Sequence, residues 1–392
     1  MSSPPPIPLP APVRRGRAWK AAAALGTLLI LAGLGEVSIR VMDRARGYPP
    51  FFHETLGKYP ALQSDPLLRT RRRPHYRIDK SYIGGAQWSF NSRGNRGSQE
   101  YAVPKPAGVY RVLCIGGSTT ASGNVSCDQA TWTAQLQRGW NEHLPAWNAA
   151  RHARSEPPVA SIEVVNHGVV GWTTVQDLVY FVTEGIDLEP DVAICMEAIN
   201  DIQAASLEGI DAGYRPWMLR DWFRPWEHRT RVDNLLGWSR LYWVLRNRVR
   251  DWNTPRDPTP LAWRTHSVHP RGPVHFRRNL ENFVAAAHVH GIRPVLMTQP
   301  CTLLWDDPTL RMPDKHNPVF KPKGPALTPE AYVEAHRLYN DITREVARAG
   351  SAEMVDLADL TPQRSGTMDD TVHETDLGAE ERAGLILDAL AQ

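Results

Sequence analysis

With 392 residues the chain has room for one large domain or two ordinary ones, and its hydrophobic and charged shares of 42% and 22% are those of a folded globular protein. A net charge of +3 with scattered basic residues excludes a nucleic-acid-binding module and gives no reason to expect an acidic partner. The four cysteines, at 114, 127, 195 and 301, form no CxxC and no zinc spacing with histidine, so no metal or other cofactor is expected.

The chain opens with MSSPPPIPLPAPV, in which proline blocks both helix and sheet; residues 1–18 read as a disordered tail. Four cations follow in RRGRAWK, and then AAAALGTLLILAGLG, residues 21–35, carries no charge. Between Lys20 and Arg40 only Glu36 breaks the apolar run, and 19 residues make about 28 Å of helix, enough to span a bilayer. Residues 19–42 are therefore expected to be a single-pass signal anchor, with the N-terminus in the cytoplasm and the domain that follows extracytoplasmic. Two alternatives stay open. A cleaved signal peptide would place Gly33 and Gly35 at the small-residue positions. A buried soluble helix would need a polar face that the run lacks.

Residues 43–108 read as an irregular extension, with RTRRRPHYR and NSRGNRG as loop-forming runs. From 109 the pattern alternates. Short apolar runs at 110–116, 161–166, 191–197, 292–298 and 353–357 have the composition of strands buried on both faces. Helices are expected near 128–143, 173–186, 274–290, 329–349 and 376–391. Five strands joined by crossover helices imply an α/β fold, a three-layer sandwich on a mostly parallel sheet over 109–392. An insertion at 202–272 interrupts the rhythm and holds half of the 14 tryptophans, at 217, 222, 226, 238, 243, 252 and 263. Within it NLLGWSRLYWVLRNRVRDW has a helix pattern. It fits a helical lid with its own small core, or else a surface that meets membrane headgroups or sugar rings. Cys114 and Cys195 fall in strand-like runs as buried thiols, and a pairing of Cys127 with Cys301 stays open.

In an open parallel sheet, ligands bind beyond the carboxyl ends of the strands. This rule brings Ser118, Gly171, Asn200 and His373 to one edge. A serine hydroxyl needs a base, an imidazole supplies one near neutral pH, and a carboxylate must set the imidazole's tautomer. Asp370, three residues before His373, is placed to do so; Asp369 and Asp356 are its rivals. Backbone N–H groups of Ser118 and Gly171 and the Asn200 amide would serve a developing oxyanion. His167 is expected to line the cleft without acting. The sequence G-x-S-x-G is absent, which argues against an α/β-hydrolase nucleophile elbow. Taken singly, Ser118 fits a turn, Asn200-Asp201 a cap and His373 a surface position; their order and strand-end placement argue for a site.

These blocks resemble the SGNH hydrolases, the GDSL-type esterase and lipase superfamily, in the variant with GGST around the nucleophile. Gly116-Gly117-Ser118-Thr119 is similar to the first block, and Asn166 to Gly171 followed by Thr173 to the second. Asn200-Asp201 resembles the third, and Asp370-Thr371-Val372-His373 with Gly378 the fourth. NSRGNRG resembles the N-x-x-G-x-R-G run that precedes the sheet in this variant. Gly117 stands at the aspartate of GDS, and Ala198 replaces the glycine of the third block. The resemblance covers roughly residues 88–390. It implies a flavodoxin-like five-stranded sandwich and a metal-free serine esterase, with Ser118, His373 and Asp370 as triad and Ser118, Gly171 and Asn200 as oxyanion hole. Short-chain acyl or acetyl esters, small or linked to a glycan, are its expected substrates. An O-acyltransferase on the same residues, acting on an envelope glycan or lipid, and a non-catalytic binding protein of this fold are the alternatives.

Overall fold

The computed structural model describes residues 17–45, 61–65, 67–78, 87–214, 217, 231–253, 266–311 and 327–391. The proline-rich stretch 1–16 and the tryptophans at 222, 226 and 263 lie outside them.

The larger of two compact units holds the sheet. It is preceded by two short antiparallel ribbons, β1 (Leu62–Asp65) with β2 (Arg69–Arg72), and β3 (Arg77–Ile78) with β4 (Trp88–Ser89). The extension expected to be irregular therefore contains strands. Their alternating burial was hidden because buried positions such as Arg72 are polar. The sheet strands are β5 (Val109–Gly116), β6 (Ser161–Gly168), β7 (Val192–Met196), β8 (Arg293–Met297) and β9 (Glu353–Val355). Their order is β6-β5-β7-β8-β9 and every pair is parallel. All five expected strands are present.

Strands β5 to β8 divide their side chains between two cores, and β9 adds Val355 to the second. Leu113, Ile115, Ala193, Cys195 and Leu296 face one core. It is shared with α4 (Thr174–Tyr180), α5 (Ile199–Ala205), α8 (Arg271–Val289) and α9 (Pro329–Ala349). Val112, Cys114, Ile194, Met196, Val295 and Met297 face the other, with α2 (Trp132–Glu142), α3 (Leu144–Ala153) and α11 (Asp376–Leu390). The result is the three-layer α/β sandwich. Val112, Leu113 and Ile115 are fully enclosed. Burying each side chain contributes about 1.5–3 kcal/mol, which favours an interior place for β5, between β6 and β7. Helix α3 was not expected; Pro145 at its first turn starts a new helix where α2 ends. The short α10 (Leu357–Leu360) follows β9. All four cysteines are free thiols, including Cys127 and Cys301.

The second unit contains α1 (Arg17–Ala45), α6 (Arg231–Leu236) and α7 (Arg240–Asn253). Helix α1 extends beyond the expected 19–42 at both ends. It is long and apolar enough to cross a membrane, and its apolar stretch is not buried in protein. The expected single helix over 234–252 is broken at Gly237-Trp238, and Ser239 caps the second piece with its hydroxyl accepting from the Tyr242 N–H at 3.0 Å.

Candidate active site

The chain leaves β5, crosses to edge strand β6, then returns to β7 on the other side of β5. This reversal opens a crevice at the carboxyl ends of β5 and β7. Ser118 lies just past β5, and Asn200 lies in the first turn of α5, just past β7. Gly171 sits in the β6–α4 turn with φ +81°, a left-handed conformation that favours glycine. Asp370 and His373 lie in the loop before α11.

The Ser118 Oγ is 2.7 Å from His373 Nε2, across 255 positions of sequence. On the other side of the ring, His373 Nδ1 is 2.7 Å from Asp370 Oδ2. Asp370 Oδ1 accepts the backbone N–H groups of Val372 at 2.9 Å and His373 at 2.8 Å. A carboxylate can only accept, so it takes the proton on Nδ1 and leaves Nε2 to accept from the Ser118 hydroxyl. Burial opposes charge on Asp370, but His373 beside it and these hydrogen bonds bring it down to about 2. Burial also pulls His373 down, and the Asp370 charge outweighs it and raises the imidazole above 6.5. Ser118 is 8% exposed.

Asn200 is buried beside them. Its Nδ2 donates to the Trp172 carbonyl at 2.7 Å and, over a long 3.4 Å, to Glu197 Oε1. One of the two amide protons is thus firmly committed and the other weakly. Glu197 was not anticipated. A Cβ on Gly117 would lie 2.3 Å from Glu197 Oε1 and 2.4 Å from Asn200 Nδ2. The space a side chain at 117 would take is filled by the Glu197 carboxyl, so the glycine beside Ser118 is a steric requirement. Burial, then the neighbouring Asp177 and Asp201 carboxyls, raise Glu197 well above the usual carboxylate range. A signal existed in the sequence: Glu197 is a charged residue closing the apolar run VAICM at a strand end.

Gln299 was also missed, although it follows β8 at the equivalent edge. Its Nε2 donates to Thr119 Oγ1 at 2.9 Å, and its Oε1 accepts from the Ile199 N–H at 2.8 Å. One buried amide therefore ties the segment after Ser118 to the helix that carries Asn200. Asp201 has a supporting part: its carboxyl accepts from the N–H and hydroxyl of Thr174 at the start of α4.

His167 does not line the cleft. It is buried, stacked on the Tyr180 ring at 3.5 Å, with Nδ1 2.7 Å from Asn95 Oδ1. Asn95 and Arg96 come from NSRGNRG. The Arg96 N–H donates to the Asn166 carbonyl and its guanidinium pairs with Asp128, so this run braces the carboxyl end of β6. The rival carboxylates lie elsewhere. Asp369 accepts from Asn124 Nδ2, and Asp356 is held by Thr298 and Arg344. Among the described residues no group of histidine, cysteine or carboxylate side chains could hold a metal ion.

Residues 114–380 match the GDSL-like Lipase/Acylhydrolase family. No curated protein matches the chain. Among solved structures, the lipase/acylhydrolase from Enterococcus faecalis is 16% identical, over 72% of this chain and 95% of its own, with a TM-score of 0.40. A variant of an acetyl xylan esterase from Geobacillus stearothermophilus is 14% identical, over 71% and 94%, with a TM-score of 0.39. Similarity at that level assigns no substrate.

Proposed function

Because the chain belongs to the GDSL-like lipase/acylhydrolase family of ester-hydrolysing enzymes, we propose that it is a membrane-anchored serine esterase using Ser118, His373 and Asp370. The observation that carries this reading is the unbroken line of hydrogen bonds from Ser118 Oγ through the imidazole to Asp370.

The chemistry follows from that line. As Ser118 Oγ attacks the ester carbonyl, its proton passes to His373 Nε2, and Asp370 stabilises the imidazolium. The carbonyl oxygen becomes an oxyanion, received by the Ser118 and Gly171 N–H groups and by Asn200. Asn200 keeps its 2.7 Å bond to Trp172 and turns the other amide proton, weakly held by Glu197, to the oxyanion. Collapse expels the alcohol, which takes the proton from Nε2. Water, activated by the same nitrogen, then releases the acid from Ser118. No step calls for a metal.

The burial of Ser118 favours a short acyl group such as acetyl. The length and apolarity of helix α1 support a single-pass anchor, and the catalytic unit outside the cytoplasm is the orientation proposed with it. An O-acylated glycan of the cell envelope is the substrate that suits that location. The test is hydrolysis of 4-nitrophenyl acetate and of an acetylated oligosaccharide by the full-length protein and by Ser118→Ala. Loss of both activities in the variant is expected; wild-type rates would overturn the mechanism. Adding an unacetylated oligosaccharide shows whether water or a sugar hydroxyl takes the acyl group.

A further inference from the structure

The apolar run of α1 ends at Glu36, an acid that a simple membrane anchor does not need at that depth. Its carboxylate is used in full. It accepts the N–H groups of Arg240 at 2.9 Å and Leu241 at 2.7 Å, and the Ser239 hydroxyl at 2.9 Å. Ser239 in turn accepts from Tyr242. The first three backbone donors of α7, which lack intrahelical partners, are thereby satisfied, two of them by a residue about 200 positions away. Two turns along α1, Asp43 is paired with Arg240 through both guanidinium Nε and Nη2, and both side chains are buried. Arg40 donates to the Trp238 carbonyl at 2.8 Å, and Gly35 lets the Leu241 side chain approach closely. A leader removed after Gly33 or Gly35 would leave Glu36 and Asp43 on the chain but take away the apolar run that precedes them.

The other side of α6 and α7 is unusually apolar. Between 232 and 249, Val232, Leu235, Leu236, Trp238, Leu245 and Val249 are all exposed, Leu235 at 72% and Trp238 at 65%. Leu245 and Val249 are four residues apart and form one row on α7. Arg248 beside that row is exposed. A short helix with an apolar row flanked by arginine, preceded by an exposed tryptophan, is suited to lie in the plane of a bilayer interface. Glu36 and Asp43 attach it where the uncharged run of α1 ends, the level at which the span meets the headgroups.

We propose that α1 is retained and that α6 and α7 are a lipid-interface element locked to it by Glu36 and Asp43, with Leu235, Trp238, Leu245 and Val249 entering the bilayer surface. This rests on the reading of α1 as a membrane span and gives residues 231–253 of the Trp-rich insertion a role.

The full-length protein, with Cys127 replaced by serine, is labelled with bimane at Leu245→Cys or Trp238→Cys. Controls carry the label at Leu28→Cys in the span and at Leu338→Cys on α9. Each is placed in vesicles of phosphatidylcholine and phosphatidylglycerol carrying a doxyl-labelled lipid. Labels at 245 and 238 are expected to be quenched to the level of the Leu28 control, with 338 unquenched. Intact mass is expected to retain residues 17–45. Quenching at 28 without quenching at 245 overturns the interface element and leaves the anchor standing. Absence of quenching at 28 overturns both readings. A mass lacking the apolar run 17–35 overturns the retention of α1 and with it the proposal.

Discussion

Replacing Asp370 by asparagine isolates the carboxylate's charge. The amide oxygen can still accept the Val372 and His373 N–H groups, so the loop keeps its shape. The amide NH2, however, now faces His373 Nδ1. It drives the ring proton to Nε2, which can then no longer accept from Ser118. A loss of about 10⁴ in kcat is expected from the wrong tautomer. The lowering of Asp370 from 3.8 to about 2 corresponds to about 2 kcal/mol of native-state stability near neutral pH. Because the folded value is depressed, this contribution is present above the unfolded value, about 4, and is lost as pH falls toward 2. Asp370→Asn should therefore unfold more readily than wild type at pH 7, with the gap closing below pH 4. Hydrolysis of 4-nitrophenyl acetate across pH supplies the kinetic side. The imidazole is raised by Asp370, so wild-type kcat/KM should rise through an acid limb above pH 6.5, and the variant's limb should move down. A variant with wild-type kcat, or a stability gap that widens in acid, would refute the reasoning.

Three other outcomes are expected. Gly117→Ala places a methyl group against Glu197 and Asn200; displacement of that amide should lower kcat by about 10²–10³, and Glu197→Ala in the same chain should restore part of it. Glu197→Gln should raise the melting temperature increasingly as pH rises. Burial and two neighbouring carboxyls raise the folded value of Glu197, so the wild-type protein loses stability from its unfolded value upward; thermal denaturation from pH 4 to pH 9 checks this. Arg96→Ala leaves Asp128 and the Asn95–Arg96 brace without their cation. It should cost about 3–5 kcal/mol in chemical denaturation.

What could be read in advance follows the physics of each element. Strands β5 to β8 were legible because strands buried on both faces must be short apolar runs, and β9, exposed at Glu353 and Met354, was legible from Met354-Val355 and its place after α9. The site's edge followed, since Ser118, Gly171 and Asn200 each come soon after a strand. Glu197 and Gln299 lie at the same edge and were passed over. Each acts through partners distant in sequence, Gly117 for the first and Thr119 with Asn340 for the second. Ribbons β1 to β4 were illegible because their buried members include Thr70 and Arg72, which hydropathy reads as exposed. His167 was placed in the cleft because its ties to Asn95 and Tyr180 span tens of residues or cross elements. The break at Gly237 depends on Glu36, about 200 positions earlier, satisfying the start of α7.

The central claim is that Ser118 is a nucleophile activated by His373. It is tested most directly by treating the full-length protein with a fluorophosphonate and mapping the adduct by peptide mass. A single adduct on Ser118 is predicted, absent in Ser118→Ala and strongly slowed in His373→Ala. An unlabelled Ser118, or an adduct that forms as fast without His373, would contradict it.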